Sequence, residues 1–326
     1  MRAPVRWLSI LGPYARFVRY APLAPLGVLF ALLAAVGLVQ PTFLSTNNLG
    51  MLAGESSVIL LFATGQTLVI LLGGIDLSMA ALAALASVLI ALSLPTLGGA
   101  GVLGVLALST VVGAFQGYVH VRAQLPSVVV TLAGLGIWSG LALAIAHTTL
   151  PVQTGEAAVA WLEGSSFGVS HAFAFAVAAL IVLCACLRWL PLGRYVYAIG
   201  LNPRVALLSG IRVGRVKVLA FALAGLFSGL AGLAMVARTS SASPTIADSL
   251  LLPSIAAVLI GGTAITGGVG GLGRTLIGVL TVTVLRVGIA ATGVDPAYEP
   301  IAYGVLVVVA AALSADRSMG RVAEAR

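Results

Sequence analysis

Apolar stretches recur along the chain, each close to the roughly 20 residues that a helix needs to cross a bilayer. Ten of them can be read, within residues 22–40, 52–72, 77–94, 101–120, 127–147, 171–188, 217–237, 251–268, 273–292 and 298–314. Short polar or glycine-rich breaks separate them. The pattern predicts an all-α polytopic transmembrane bundle of about ten spans, folded as a single domain over residues 1–326. Glycine interruptions near residues 73 and 267 leave a re-entrant course open at those two points. The longest polar break, 148–170, has room for a helical turn or two, not for a domain.

Composition narrows the class. The chain is 60% hydrophobic and 8% charged, with a mean hydropathy of +1.14, whereas soluble domains carry about 25% charged residues. A water-soluble globule is excluded. The 39 glycines suit helices that approach closely in lipid through small residues. A net charge of +8 would suit nucleic acid, but the basic residues fall in short loops, where they set topology; nucleic acid is not an expected partner. With the N-terminus inside, cytoplasmic segments collect Arg2, Arg6, Arg16, Arg19, Arg122, six residues of 188–217, Arg274, Arg317, Arg321 and Arg326, fifteen of the seventeen Lys and Arg. The outer loops hold Glu156, Glu163, Asp248 and Asp295, with Glu299 close by. The expected orientation therefore has both termini cytoplasmic, a basic N-terminus over 1–20, a cytoplasmic loop over 188–217 and a cytoplasmic tail over 315–326. The first apolar run reads as a retained signal-anchor span, since no clear cleavage site ends it. Cys184 and Cys186 project on different faces of one helix and read as core packing. His120, His147 and His171 lie near span ends without ligand spacing.

Elimination removes most enzyme classes. Lys217 is the single lysine and belongs to no G-x-x-x-x-G-K-[ST] phosphate loop. There is no H-E-x-x-H pair and no G-x-S-x-G elbow. No catalytic, metal or cofactor-binding set is expected, and the sequence makes no positive case for an enzyme.

Arg188 to Lys217 holds six of the seventeen basic residues, between two apolar runs. In its middle, Asn202 suits an N-cap and Pro203 the first helical position. Gly210 suits the left-handed conformation that ends a helix. Val205, Leu208 and Ile211 fall three apart and form a narrow apolar ridge, with Arg204 and Arg212 at its rim. A capped helix of about two turns with an unpartnered ridge, lying across a loop, predicts docking of a soluble partner. Topogenic charge alone would explain the arginines but not the caps.

Two glycine-rich segments stand out. In Gly73-Gly74-Ile75-Asp76-Leu77-Ser78, the glycines permit a tight turn and Asp76 suits the start of the next helix; a structural cap is the reading preferred over proton or solute chemistry. Gly261-Gly262-Thr263-Ala264-Ile265-Thr266-Gly267-Gly268-Val269-Gly270 cannot be an unbroken helix. Non-helical backbone at membrane depth must be covered by protein or line a wet cavity, so this run fits a permeation-path element or a tight turn between packed spans. Thr64, Gln66 and Thr67, with Glu55, form a sparse polar set in the second span, echoed by Trp138 and Ser139 in the fifth. Path lining and interhelical hydrogen bonding explain these polar groups equally. Arg286 lies within the ninth span, to snorkel or to pair with an acid.

Taken together, these segments resemble the inner-membrane permease subunits of bacterial ABC importers for monosaccharides, the ribose-type permease family. The resemblance rests on Gly73-Gly74-Ile75-Asp76-Leu77-Ser78, on Gly193 through Pro203 with its Gly200-Leu201-Asn202-Pro203 end, on Leu208-Ser209-Gly210-Ile211, and on Ile260-Gly261-Gly262-Thr263 with Thr266-Gly267-Gly268-Val269-Gly270-Gly271. It covers most of the chain from about residue 45. After Ser78 this chain continues Met79-Ala80-Ala81, a departure from the family's small-residue run. The resemblance implies an ABC importer permease fold and a transport subunit without catalysis. It also implies a second permease subunit, identical or not, an ABC ATPase subunit that binds the ATP, and a periplasmic substrate-binding protein. Gly200, Asn202, Pro203, Arg204, Ala206, Leu208, Ser209, Gly210 and Ile211 would form the ATPase-coupling segment. Gly73, Gly74, Asp76, Ser78, Gly261, Gly262, Thr263, Gly267 and Gly268 would form the structural or translocation motifs. Related permeases carry a signalling furanone or other small polar solutes such as nucleosides. An ion-coupled secondary transporter is the rival from another class and would want paired acids near mid-membrane.

Overall fold

The computed structural model describes residues 24–153, 157–291, 293, 295–305 and 308. The expected basic N-terminus, Glu156, the end of the tenth span and the tail lie outside them. The α-helices with both ends among the described residues are, in order, α1 Ala24–Val39, α2 Thr46–Leu71, α3 Met79–Arg122, α4 Ser127–Ile145, α5 Ala157–Ala160, α6 His171–Trp189, α7 Pro191–Leu201, α8 Pro203–Leu208, α9 Val213–Thr239, α10 Leu251–Ile260 and α11 Leu272–Ala291, and residues 299–305 are also helical. Among the described residues, six helices are long and apolar enough to cross a membrane: α2, α3, α4, α6, α9 and α11.

One of these six accounts for two expected spans. Helix α3 contains Pro95 and breaks at Gly98, whose φ is +49°. Its arms fold back on each other: a Cβ on Gly101 would meet Ser93, and Gln116 bonds Ser78 at the far ends of the arms. The expected span at 251–268 is shorter than the sequence suggests. Helix α10 has ten residues, about 15 Å at 1.5 Å per residue, half the hydrocarbon thickness. Residues 261–271 then run as a loop, because glycines replace the residues that would continue the helix.

Helix α2 is the centre. Ser45 caps it by accepting from the Asn48 amide at 3.5 Å, and 26 residues make it about 39 Å long. It is buried throughout from Ser56 to Leu71, with Ile59, Leu60, Leu61, Leu68, Val69, Ile70 and Leu71 fully enclosed. The second arm of α3 packs on α9 through bare backbone, since a Cβ on Gly113 would strike the Phe221 carbonyl and one on Gly225 the Ser109 carbonyl. Without a hydrophobic force between helices in lipid, such close van der Waals packing is what holds them.

The bundle has two distinct ends. At one, the turn 72–78, the α3–α4 turn, helices α7 and α8, and the loop 261–271 come together. At the other, the β-bridge Leu150–Pro151 to Ser241–Ala242 packs on α3 and α9, and the hairpin Ser165–Ser166 to Val169–Ser170 covers the start of α2. These are called here the glycine end and the ion-pair end.

Candidate functional site

Three helices stop at the glycine end in the same way. Helix α2 ends on Gly73, α8 on Gly210 and α10 on Gly262, at φ values of +76°, +83° and +85°. In each, two amides turn back on the last turn: Gly73 to Ile70 and Gly74 to Val69; Gly210 to Leu207 and Ile211 to Ala206; Gly262 to Leu259 and Thr263 to Val258, all at 2.8–3.2 Å. This is the Schellman motif, and it needs a residue that tolerates the left-handed region.

The three segments then meet. The Gly268 amide donates to the Leu71 carbonyl at 2.9 Å. A methyl on Gly267 would stand 2.7 Å from the Gly73 nitrogen, and one on Gly200 would run into the Leu71 carbonyl and the Gly268 nitrogen. Tyr197, one turn before Gly200, donates its hydroxyl to the Gly270 carbonyl at 3.1 Å. Helix α7 is thus pressed on the loop 261–271 and, through it, on the end of α2. Within that loop, Thr263 is fully buried and accepts from the Gly271 amide at 3.4 Å.

Asp76 lies beside this junction, with 2% exposure. Its Oδ1 accepts from the Ser78 amide at 2.8 Å and the Ser78 hydroxyl at 2.6 Å. Ser78 Oγ in turn accepts from Gln116 Nε2 at 2.9 Å. The Gln66 amide, in the orientation that satisfies both partners, donates to the Asp76 carbonyl at 3.1 Å and accepts from the Asp76 amide at 3.2 Å. Helix α4 holds the turn from the other side: Ser127 Oγ accepts from the Ile75 amide at 3.1 Å and Thr131 Oγ1 from the Leu77 amide at 3.0 Å. Burial pushes the Asp76 carboxyl above its usual value, and the two bonds from Ser78 oppose that rise. The arrangement fits the structural cap, since every bond of the carboxylate serves the turn.

Thr64, Gln66 and Thr67 are fully buried. Thr64 donates to the Leu60 carbonyl, and Thr67 is 2.8 Å from Thr275 of α11. Of the two readings of these residues, interhelical and local bonding is the one this geometry supports.

Helix α8 has the expected caps. Asn202 Oδ1 accepts from the Arg204 and Val205 amides at 3.0 and 3.1 Å, and Pro203 occupies the first turn. Ala206 faces inward at 3% exposure, whereas Leu208 is 87% exposed and Leu201, Val205 and Leu207 are exposed beside it. The ridge differs from expectation at one end: Ile211 is half-buried against the core, because the Schellman bond to Ala206 folds it back, and Leu201 and Leu207 extend the exposed face instead.

A model of the family described as "Branched-chain amino acid transport system / permease component" matches residues 48–311. The chain belongs to this permease family. The permease is 36% identical over 306 residues to the ribose import permease protein RbsC of Bacillus subtilis (strain 168), covering 91% of this chain and 93% of that protein. It is 35% identical over 290 residues to RbsC of Escherichia coli (strain K12), covering 86% and 90%. To the fructose import permease protein FrcC of Rhizobium meliloti it is 33% identical over 323 residues, covering 94% and 88%. No solved structure matches.

Sequence reading missed several parts of this permease's site. Gln116, Ser127 and Thr131 hold the Asp76 turn, and in the sequence they show only as polar groups inside or beside an apolar run; Tyr197, inside the Gly193–Pro203 segment, ties α7 to the loop 261–271. It also left Arg286 without a partner. At the ion-pair end, Glu55 receives Arg238 at 2.6 Å and Arg286 at 3.7 Å, Arg286 also reaches Glu299 at 3.6 Å, and Tyr303 donates to Glu299 at 3.2 Å. The Trp138 indole N–H is buried without a hydrogen-bond partner.

Proposed function

We propose that this permease is the transmembrane subunit of an ABC importer for a monosaccharide, in the bacterial inner membrane. It crosses about ten times with both termini cytoplasmic, and the glycine end faces the cytoplasm. A second permease subunit completes the path, a periplasmic binding protein delivers the sugar at the ion-pair end, and a separate ATPase subunit binds ATP below α8. The relatives named for ribose and fructose support a sugar as solute.

The observation that carries the reading is the exposed face Leu201, Val205, Leu207 and Leu208 on a helix capped at both ends. A six-residue helix with four exposed aliphatic residues on and beside it has reason to be so ordered only if something packs on it. Charge supports the side. Among the described residues, Arg122, Arg188, Arg194, Arg204, Arg212, Arg215, Lys217 and Arg274 lie at the glycine end with one buried acid, Asp76. The ion-pair end has Arg238 and Arg286 against Glu55, Glu163, Asp248, Asp295 and Glu299. Positive residues favour the cytoplasmic side.

The junction supports alternating access as the mechanism. ATP binding in the partner displaces α8; α7 moves with it, and the Gly200–Gly268 and Tyr197–Gly270 contacts pass the shift to the loop 261–271 and to α2. A rigid-body rock of packed helices then opens the path inward. Ion coupling through Asp76 is disfavoured, since Ser78 occupies its carboxylate. The test is ATPase stimulation and binding-protein-dependent uptake across a panel of labelled monosaccharides, for the wild type, Arg204→Glu and Gly210→Val. Both variants insert normally, and both lose stimulation and uptake. Normal transport by both sinks the docking assignment, and no uptake of any sugar by the wild-type complex sinks the solute assignment.

A further inference from the structure

Lys217 is the only lysine of the chain, and neither the coupling segment nor the glycine junction uses it. It lies in the second turn of α9, half-buried, with Nζ 3.3 Å from His120 Nε2. His120 Nδ1 stands 2.6 Å from the Leu125 carbonyl. A carbonyl only accepts, so Nδ1 carries the imidazole proton and Nε2 accepts from the ammonium. That leaves two ammonium protons of Lys217 uncommitted. The ion pairs among the described residues all lie at the ion-pair end, so none of the described acids pairs with this cation.

Two crevices meet at the pair, and both are lined by His120, Lys217 and Pro126. One, of about 260 Å³, also borders Gly74, Ser127 and Ile265. The other, of about 420 Å³, borders Gln124, Leu125 and Gly214. Helices α4 and α9 both start here, and neither start has a side-chain cap, so two positive dipole ends add to the ammonium charge. The rim is apolar and open: Leu125 and Val128 line the crevices and are exposed, as are Tyr118 and Leu219 nearby. An uncompensated cation in a crevice, at the end of a membrane bundle and beside exposed aliphatic side chains, matches a lipid with a phosphate head and acyl chains.

We propose that the Lys217–His120 crevice binds the phosphate of an anionic phospholipid from the leaflet at the glycine end. The Lys217 ammonium takes the phosphate, His120 holds the ammonium in place, and the acyl chains run along Leu125, Val128 and Leu219. The bound lipid braces the α3–α4 turn against the start of α9, immediately after the α8 segment. A soluble phosphate ester shares the headgroup chemistry but makes no use of the apolar rim. The transport reading enters only in naming that leaflet cytoplasmic.

The full chain, purified and delipidated in detergent, is titrated with dioleoyl phosphatidylglycerol or with the neutral phosphatidylcholine, and bound lipids are counted by native mass spectrometry. One phosphatidylglycerol is retained more tightly than phosphatidylcholine; Lys217→Gln weakens it roughly tenfold, in line with loss of a charge-assisted bond, and Lys217→Arg keeps it. Because the lysine is unique, an amine-reactive acetylating ester offers a second readout on the unmutated protein. Phosphatidylglycerol slows modification of Lys217, mapped by peptide, and phosphatidylcholine does not. Equal retention of both lipids together with equal labelling rates overturns the site, as does unchanged retention by Lys217→Gln. If glycerol 3-phosphate protects Lys217 while phosphatidylglycerol does not, the ligand is a soluble phosphate and the lipid assignment falls.

Discussion

The two ends of the bundle are built on opposite principles. At the glycine end, helices stop on glycine and touch through backbone, with no side chain between the end of α2, Gly200 and Gly268. At the ion-pair end they are tied by partly exposed charges, Arg238 and Arg286 on Glu55 and Arg286 on Glu299. Backbone in contact with backbone has no rotamers to absorb a displacement, so motion of α7 must be passed on. Partly exposed ion pairs are worth little each and exchange readily with water. The glycine end can therefore transmit a push, and the ion-pair end can open without a large cost.

Breaking the glycine junction gives the largest effect. Gly200→Val drives a side chain into the Leu71 carbonyl, and overpacking of this kind costs about 3 kcal/mol; the check is thermal unfolding of the purified protein in detergent, where a clear loss is expected. Next comes Asp76→Ala, which strands the Ser78 amide and leaves the Ser78 hydroxyl only its longer bond to Gln116 Oε1 at 3.2 Å. Leaving buried donors unpaired costs about 2 kcal/mol, and Asp76→Asn, which keeps an acceptor, costs less; chemical denaturation of both variants ranks them. Tyr197→Phe removes one half-buried bond to Gly270, about 1 kcal/mol, and lowers ATPase stimulation more than it lowers stability. The smallest effect belongs to the other end. Glu55→Gln shifts stability by less than about 1 kcal/mol, and the shift shrinks as salt is added; unfolding at low and high ionic strength measures it. An Glu55→Gln effect larger than that of Gly200→Val would reverse the comparison.

The legibility of these parts in the sequence follows from how local their physics is. The caps of α8 were readable because Asn202, Pro203 and Gly210 act within one turn. The Gly73 and Gly262 helix ends were readable as breaks for the same reason. The pairing of Arg286 with Glu55 was not, because it joins two helices far apart in the sequence, and its contact with Glu299 crosses a helix end with no periodicity to signal it. The expected span at 251–268 nevertheless runs past the Gly262 break, because hydropathy counts apolar residues and does not register that glycine at 261 and 262 ends α10. Pro95 and Gly98 let two expected spans follow each other as the two arms of one bent helix. Gln116 and Thr131 looked like isolated polar residues in apolar runs, and only the folded turn at Ile75–Ser78 gives them partners.

The most direct measurement concerns the side and the cover of α8. Leu208→Cys, placed in a protein whose Cys184 and Cys186 have been replaced by alanine, is labelled with a membrane-impermeant maleimide in right-side-out and inverted vesicles, with and without the ATPase subunit. With α8 on the cytoplasmic side under the ATPase, labelling is expected only in inverted vesicles, with protection when the ATPase is present. Labelling from the outside, or equal labelling with and without the ATPase bound, would contradict it.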